Sequence, residues 1–275
     1  MHNYDIDPIE VPVFIVNRNN FDRGFKRLVD WLLSVGMKHV NVVDNQSSYP
    51  PLLDYYNEMV GKITVDVQAM NIGPRGWWAL GNHMKIDTPY IYTDCDVVPS
   101  PECPKDVINT LLGILRTQEP PIGDVHGGRK IGVSLRTDNL PDSFTKKDMV
   151  VKWESGFWNP DRRVDPTLTN GVLAFSADVD TTFAMYHPQQ PFTYTALRTD
   201  APYSFEHIPW YNDEANPTDE DKFYREHYET AHEGGELWKT DQGGYALYGW
   251  NVRSKASMEE TFKVRGIELD GKPRW

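Results

Sequence analysis

Asp94 and Asp96 stand one residue apart at the end of the apolar run Tyr90-Ile91-Tyr92-Thr93. Two carboxylates in that spacing, where a chain leaves a strand, can both face one ligand. Hard oxygen ligands of this kind suit Mn²⁺ or Mg²⁺, which keep most other positions for water and phosphate oxygens. A cation held there would bridge two phosphate oxygens and stabilise the charge growing on a departing diphosphate. The spacing alone is weak evidence, because this acidic chain repeats it at Asp5/Asp7, Asp178/Asp180 and Asp219/Asp221. Asp94/Asp96 differs in following a buried apolar strand and preceding Val97-Val98-Pro99.

The elements that must position this pair alternate. Val11 to Val16 is a short β-branched run, the mark of a strand buried on both faces. Asn17-Arg18-Asn19-Asn20 breaks it and offers helix caps, and Phe21, Phe25, Leu28, Val29, Leu32 and Leu33 then recur at helical spacing before Gly36. His39 to Val43 is a second strand ending in Asp44-Asn45-Gln46-Ser47-Ser48. Pro50 and Pro51 open a second helix, Lys62 to Val67 is a third strand, and a short helix spans Gly76 to Met84. Tyr90 to Thr93 is the fourth strand. This order predicts a parallel sheet with right-handed crossovers, which binds ligands outside the carboxyl ends of its strands. The polar clusters after all these strands therefore converge on one crevice.

These residues reach a family. The opening strand with Asn17-Arg18, the Asp44-Asn45-x-Ser47-Ser48 turn, Asn71-Ile72-Gly73-Pro74-Arg75 and Tyr92-Thr93-Asp94-Cys95-Asp96-Val97-Val98-Pro99 resemble nucleotide-diphosphosugar glycosyltransferases of the GT-A fold, in the family 2-like group. Further along, Ser134 to Asp142, Trp153-Glu154-x-x-Phe157-Trp158, Asp180 to Tyr186 and His207-Ile208-Pro209-Trp210-Tyr211 resemble a bacterial and large-DNA-virus branch that includes enzymes building glycans on chlorella-virus capsids. The resemblance covers residues 10 to 240. It implies an α/β, Rossmann-like mixed sheet, mostly parallel and flanked by helices. It also implies donor-site roles for Asn17, Arg18, Asp44, Asn45, Arg75, Asp94, Cys95 and Asp96, with Asp94, Asp96 and a late histidine, His207, at the metal. Asn17 and Asn20 equally read as helix caps, Asp44 as a turn residue, Arg75 as a solvated first-turn residue and His207 as a packed histidine.

The second half reads as the acceptor side. Pro104 to Arg116 is a core-facing helix, Pro120 to Lys130 a loop and Ile131 to Leu135 a strand. Gly171 to Phe175 and Thr181 to Tyr186 are two more strands, expected to form a hairpin. An inverting transferase needs a carboxylate to take the proton of the attacking hydroxyl. Asp180, at a strand start, and Glu154, flanked by Trp153 and Phe157, are the candidates, with Asp138, Asp200 or no base as the remaining options. Trp153, Trp158, Trp210 and Tyr211 are sugar platforms or core. The acidic run from Asp213 to Glu236 reads as a solvated surface, with Asp219/Asp221 in the first turn of a helix beginning near Pro217.

Over 275 residues, 28 Lys and Arg stand against 40 Asp and Glu, a net charge of −12. That balance opposes polyanion binding, whether nucleic acid or an anionic membrane surface. The chain has no apolar run long enough for a membrane helix, and the N-terminal residues lack a secretory pattern. Two cysteines make no disulfide framework, and a cytoplasmic setting is expected, a host cytoplasm if the source is viral. The expectation is a GT-A domain over 1–240 (nucleotide-binding half 1–100, acceptor half 101–240) with an extension over 241–275. It would move a sugar from a UDP-sugar to a hydroxyl of a glycan or glycoprotein, with inversion. A sugar-phosphate nucleotidyltransferase is the first alternative, disfavoured because Asn17 to Asn20 contains no phosphate-cradling glycine. A catalytically inactive carbohydrate-binding module is the second.

Overall fold

A computed structural model describes residues 4–118, 130–213 and 215–228. No helix among them is long and apolar enough to cross a membrane. The first half runs β1 (Val13–Asn17), α1 (Phe25–Ser34), β2 (Val40–Asp44), α2 (Pro50–Glu58), β3 (Thr64–Val67), α3 (Gly76–Ala79) and β4 (Tyr90–Asp94). Then come β5 (Val97–Pro99), α4 (Val107–Thr117), β6 (Lys130–Gly132), β7 (Ser134–Leu135), α5 (Lys147–Ser155), β8 (Ala174–Ser176), β9 (Ala184–Tyr186), β10 (Ala196–Thr199), β11 (Ser204–His207) and α6 (Asp219–Tyr228).

The architecture is mixed α/β. An eight-stranded sheet has the order β3-β2-β1-β4-β9-β6-β10-β8, and β5-β11-β7 form a second, three-stranded sheet. The alternating first half gives the parallel block β3-β2-β1-β4, in register from Val13 beside Val40 and Ile91. Period-two alternation assigns the faces. Val13, Ile15 and Ile91 pack with Phe25, Leu28, Val29 and Leu32 of α1 and the apolar side of α4, whereas Val16, Tyr90 and Tyr92 pack with Trp77 and Trp78 of α3. Both faces are thus covered, as a parallel block requires.

Beyond β4 the sheet departs from the sequence reading. Its pairs β4–β9, β9–β6 and β10–β8 are antiparallel and β6–β10 is parallel, so the sheet is mixed, with its antiparallel pairs confined to this half. The expected hairpin does not form: β9 lies between β4 and β6, while β8 pairs with β10 at the sheet edge. Burial explains the choice, because Ala184, Met185 and Tyr186 are fully buried and the Tyr186 ring stacks on Tyr90 at 5.1 Å. The single strand expected over Ile131 to Leu135 divides at Val133 between the two sheets. The helix expected over Gly76 to Met84 stops at Ala79, and Gly81, at φ 71°, leads into a short 3-10 turn. Most of the expected Pro120 to Lys130 loop and the 241–275 extension lie outside the described residues.

Three separate pieces of chain meet where β4 ends. The loop between β1 and α1 packs so closely on the Cys95-Asp96 turn that a Cβ on Gly24 would lie 2.7 Å from the Asp96 Cα and 2.8 Å from the Cys95 carbonyl oxygen. On the other side, the Ile208 N–H donates to the Asp96 carbonyl at 2.8 Å. Both neighbours of Gly24 are backbone and cannot swing aside. Gly24→Ala is expected to destabilise the protein by about 1–3 kcal/mol, the usual cost of overpacking, seen as a lower urea midpoint. An unchanged midpoint would show that this approach does not hold the turn.

Candidate functional site

Asp94 closes β4, and its N–H donates to the Thr181 carbonyl at 2.8 Å while the Thr181 hydroxyl donates to its Oδ2 at 2.7 Å. That pairing orients one carboxylate oxygen without neutralising it. Burial pushes the Asp94 carboxyl up to about 8, with the charge of Asp96 adding to the effect. Asp96 follows with its Oδ2 3.6 Å from Nε2 of His207, while its Oδ1 is buried and accepts no hydrogen bond. The His207 ring is held low by burial, which Asp96 opposes, and its Nδ1 has no hydrogen-bond partner either. Between the two acids, burial raises the Cys95 thiol well above its usual value, so it stays neutral.

Surplus negative charge and an orphaned buried acceptor fit a divalent cation. Among the described residues, no group of three or more His, Cys, Asp or Glu side chains is arranged to hold an ion by itself. This is compatible with a Mg²⁺-type site, in which one or two carboxylates bind and water and phosphate complete the shell.

The carboxylate turn opens on a cleft of about 420 Å³ lying across the carboxyl ends of β1, β2 and β4. Of the residues expected at a donor site, Asn17, Arg18, Asn45, Asp94, Cys95 and Asp96 line it together. Their side chains are not equally available. Asn17 donates to the Asn20 carbonyl and the Tyr56 hydroxyl and accepts from Asn20 N–H, and Asn45 bridges to the Gly73 carbonyl at 3.3 Å. Both brace the loops. Arg18 donates to the Asn45 carbonyl at 2.7 Å, tying the ends of β1 and β2; burial lowers its guanidinium from the usual range, with Tyr224 and Asp44 opposing.

Other expected residues lie outside the lining. Asp44 is buried, accepting from Ser47 N–H and the Tyr56 hydroxyl at 2.8 Å each. Arg75 lies against the rings of Phe192 and Tyr194 and reaches Asp180 at 2.9 Å. Asp180 remains half exposed at its carboxylate, and its backbone carbonyl accepts from the fully buried Lys130 at 2.8 Å. Glu154 is buried in an ion pair with Arg198 at 2.5 Å, so it is tied into the packing beneath α5. Asp138 is held by Arg136, and Asp200 accepts from Ala201 N–H. Trp210 packs on the His207 ring, Tyr211 donates to Asn139, and Trp153 meets Phe157 edge-on; none of these, nor Trp158, lines the cleft.

The largest departure from the sequence reading is α6. Its acidic first turn is solvated at Asp219 but not at Glu220, which is 8% exposed and whose two oxygens accept from the backbone N–H groups of Phe21 and Asp22 at 2.8 Å each. Asp221 pairs with Arg23 at 2.9 Å and accepts from both the N–H and hydroxyl of Thr218. The helix is thereby fastened to the β1–α1 loop, and Glu220, Asp221, Tyr224 and Arg225 form one wall of the cleft. Their i, i+4 spacing marks a helix face, but nothing local in the sequence names the loop it meets.

No family model matches the chain, and no curated protein matches it.

The raised Asp94 carboxyl fixes a pH dependence. In the unfolded chain Asp94 ionises near 3.8, whereas in the folded protein it holds its proton up to about 8. Across that window the folded state binds the extra proton, so stability falls as pH rises. In metal-free buffer, Asp94→Asn is expected to gain on the wild type progressively from pH about 4 to about 8, with the gap levelling above. Urea midpoints that run parallel for the two proteins would contradict this.

Proposed function

We propose that the chain is a metal-dependent glycosyltransferase of GT-A type that moves a sugar from a UDP-sugar to a hydroxyl of a glycan or glycoprotein, with inversion, in the cytoplasm. The observation that carries this reading is the Asp94-Cys95-Asp96 turn on the lining of a cleft across the carboxyl ends of β1, β2 and β4. Such crevices are where open α/β sheets take their ligands. Cys95 and Cys103 are both free thiols, in keeping with a reducing compartment.

Asp96 and Asp94 would hold Mn²⁺ or Mg²⁺, with His207 beside Asp96; the ion, when bound, supplies positive charge to the leaving diphosphate. The remaining roles belong to the chain. Among the described residues, Arg18, Arg23 and Arg225 are the cations lining the cleft, and Arg18 and Arg225 would meet the donor's phosphates. The acceptor hydroxyl attacks the anomeric carbon, the bond from that carbon to the diphosphate oxygen breaks, and the hydroxyl proton passes to a carboxylate. Asp180 fits that last role better than Glu154. Both carboxylates pair with an arginine, but Asp180 is half exposed and acts on Asp94 electrostatically, whereas Glu154 is buried against Arg198.

With Mn²⁺ present, UDP is expected to raise the melting temperature of the wild type, and Asp96→Ala to abolish that shift. Hydrolysis of a panel of nucleotide sugars then identifies the donor. If neither UDP nor GDP stabilises the wild type with any divalent metal, the reading is wrong.

A further inference from the structure

Helix α6 is fixed so firmly over the cleft that the side chains it presents must bear on what binds there. Its first turn is locked by Glu220 on two backbone N–H groups and by Asp221 on Arg23. One turn on, the Phe223 ring packs on Tyr49 at 4.9 Å, just before α2. With residue 223 turned toward α2, residues 224 and 225 turn into the cleft, as helical geometry requires.

Tyr224 is the one aromatic among the described residues lining that cleft, and it is 40% exposed. This exposed ring faces a space edged by asparagines, arginines and carboxylates together with Val16, Pro74, Ile208 and Pro209, and it belongs to none of the buried core clusters. Its place along the cleft is also informative. The strand order β2-β1-β4 puts the carboxylate turn at one end and the Arg18–Asn45 tie at the other. Tyr224 is an electrostatic neighbour of Arg18, whose guanidinium reaches the Asn45 carbonyl at the end of β2. A ligand with its diphosphate at Asp94 and Asp96 would extend its nucleoside toward this ring.

We propose that Tyr224 is the surface on which the nucleobase stacks, making α6 the wall that selects a nucleotide over a bare diphosphate. This rests on the donor-site reading above and extends it to a residue that no motif marked. A flat aromatic ring accepts any base face, and base stacking on such a ring is commonly worth a tenfold or larger change in affinity.

The test is calorimetric titration of the full chain with UDP, with GDP and with inorganic diphosphate, each in the presence of Mn²⁺. Tyr224→Ala is expected to weaken the tighter-binding nucleotide about tenfold and leave inorganic diphosphate unchanged, while Tyr224→Phe binds all ligands like the wild type. Equal nucleotide affinity in Tyr224→Ala and wild type would overturn the stacking role and leave the donor-site reading standing. So would a Phe variant as weak as the Ala variant, or an Ala variant that loses inorganic diphosphate in equal measure. A wild type that binds nucleotide no tighter than inorganic diphosphate would remove the base subsite while retaining a phosphate site. Binding of none of these ligands would overturn both.

Discussion

Two carboxyl groups held side by side at the end of a buried strand set the terms for the rest of the molecule. Asp94 and Asp96 repel one another, and burial makes ionising Asp94 costlier still. A turn under that load keeps its shape only if its backbone is fixed from several directions. Here the Thr181 carbonyl takes the Asp94 N–H, the Ile208 N–H takes the Asp96 carbonyl, and the β1–α1 loop presses against the turn at Gly24. These clamps come from distant parts of the chain. The second, smaller sheet is explained by the same need, since pairing Val97 with His207 brings the histidine beside Asp96.

Acidity elsewhere in the chain has a related use. The net charge of −12 disfavours partners that require a broad basic face. It does not describe how individual acids are employed. Glu220 and Asp221 are not surface decoration but ties, one on backbone donors before α1 and one on Arg23. By fixing α6 they complete the cleft, whose lining among the described residues includes Arg18 and Arg225. On the proposed reading, the positive charge a diphosphate needs comes from these two arginines and from a bound cation.

Much of the first half was legible because its elements are local. The apolar run of β1, the i, i+3, i+4 pattern of α1 and the strand before Asp94 each declare themselves within a few residues. The polar clusters at the strand ends followed from topology alone, and Arg18, Asn45 and the Asp94–Asp96 turn do meet in one cleft. What sequence could not give was the pairing of the later strands and the company each polar side chain keeps. Three-residue strands such as β8 and β9 have almost no periodicity, so burial of Tyr186 against Tyr90 decided their partners. Asp44 and Glu154 look as reactive in sequence as Asp96 does. The Tyr56 hydroxyl and the Arg198 guanidinium, 12 and 44 residues further along the chain, help to distinguish them. Tyr224 was hidden for the same reason: it lies in an acidic helix whose contacts are with residues some two hundred positions earlier.

The central claim is that the orphaned oxygen of Asp96 faces the place of a divalent cation shared with a diphosphate. The most direct measurement is anomalous diffraction from crystals of the protein grown with Mn²⁺ and UDP. The account predicts a single strong manganese peak within coordination distance of the Asp96 carboxylate and of the UDP diphosphate oxygens. Bound UDP with no manganese at Asp96, or manganese held only at other carboxylates, would contradict it.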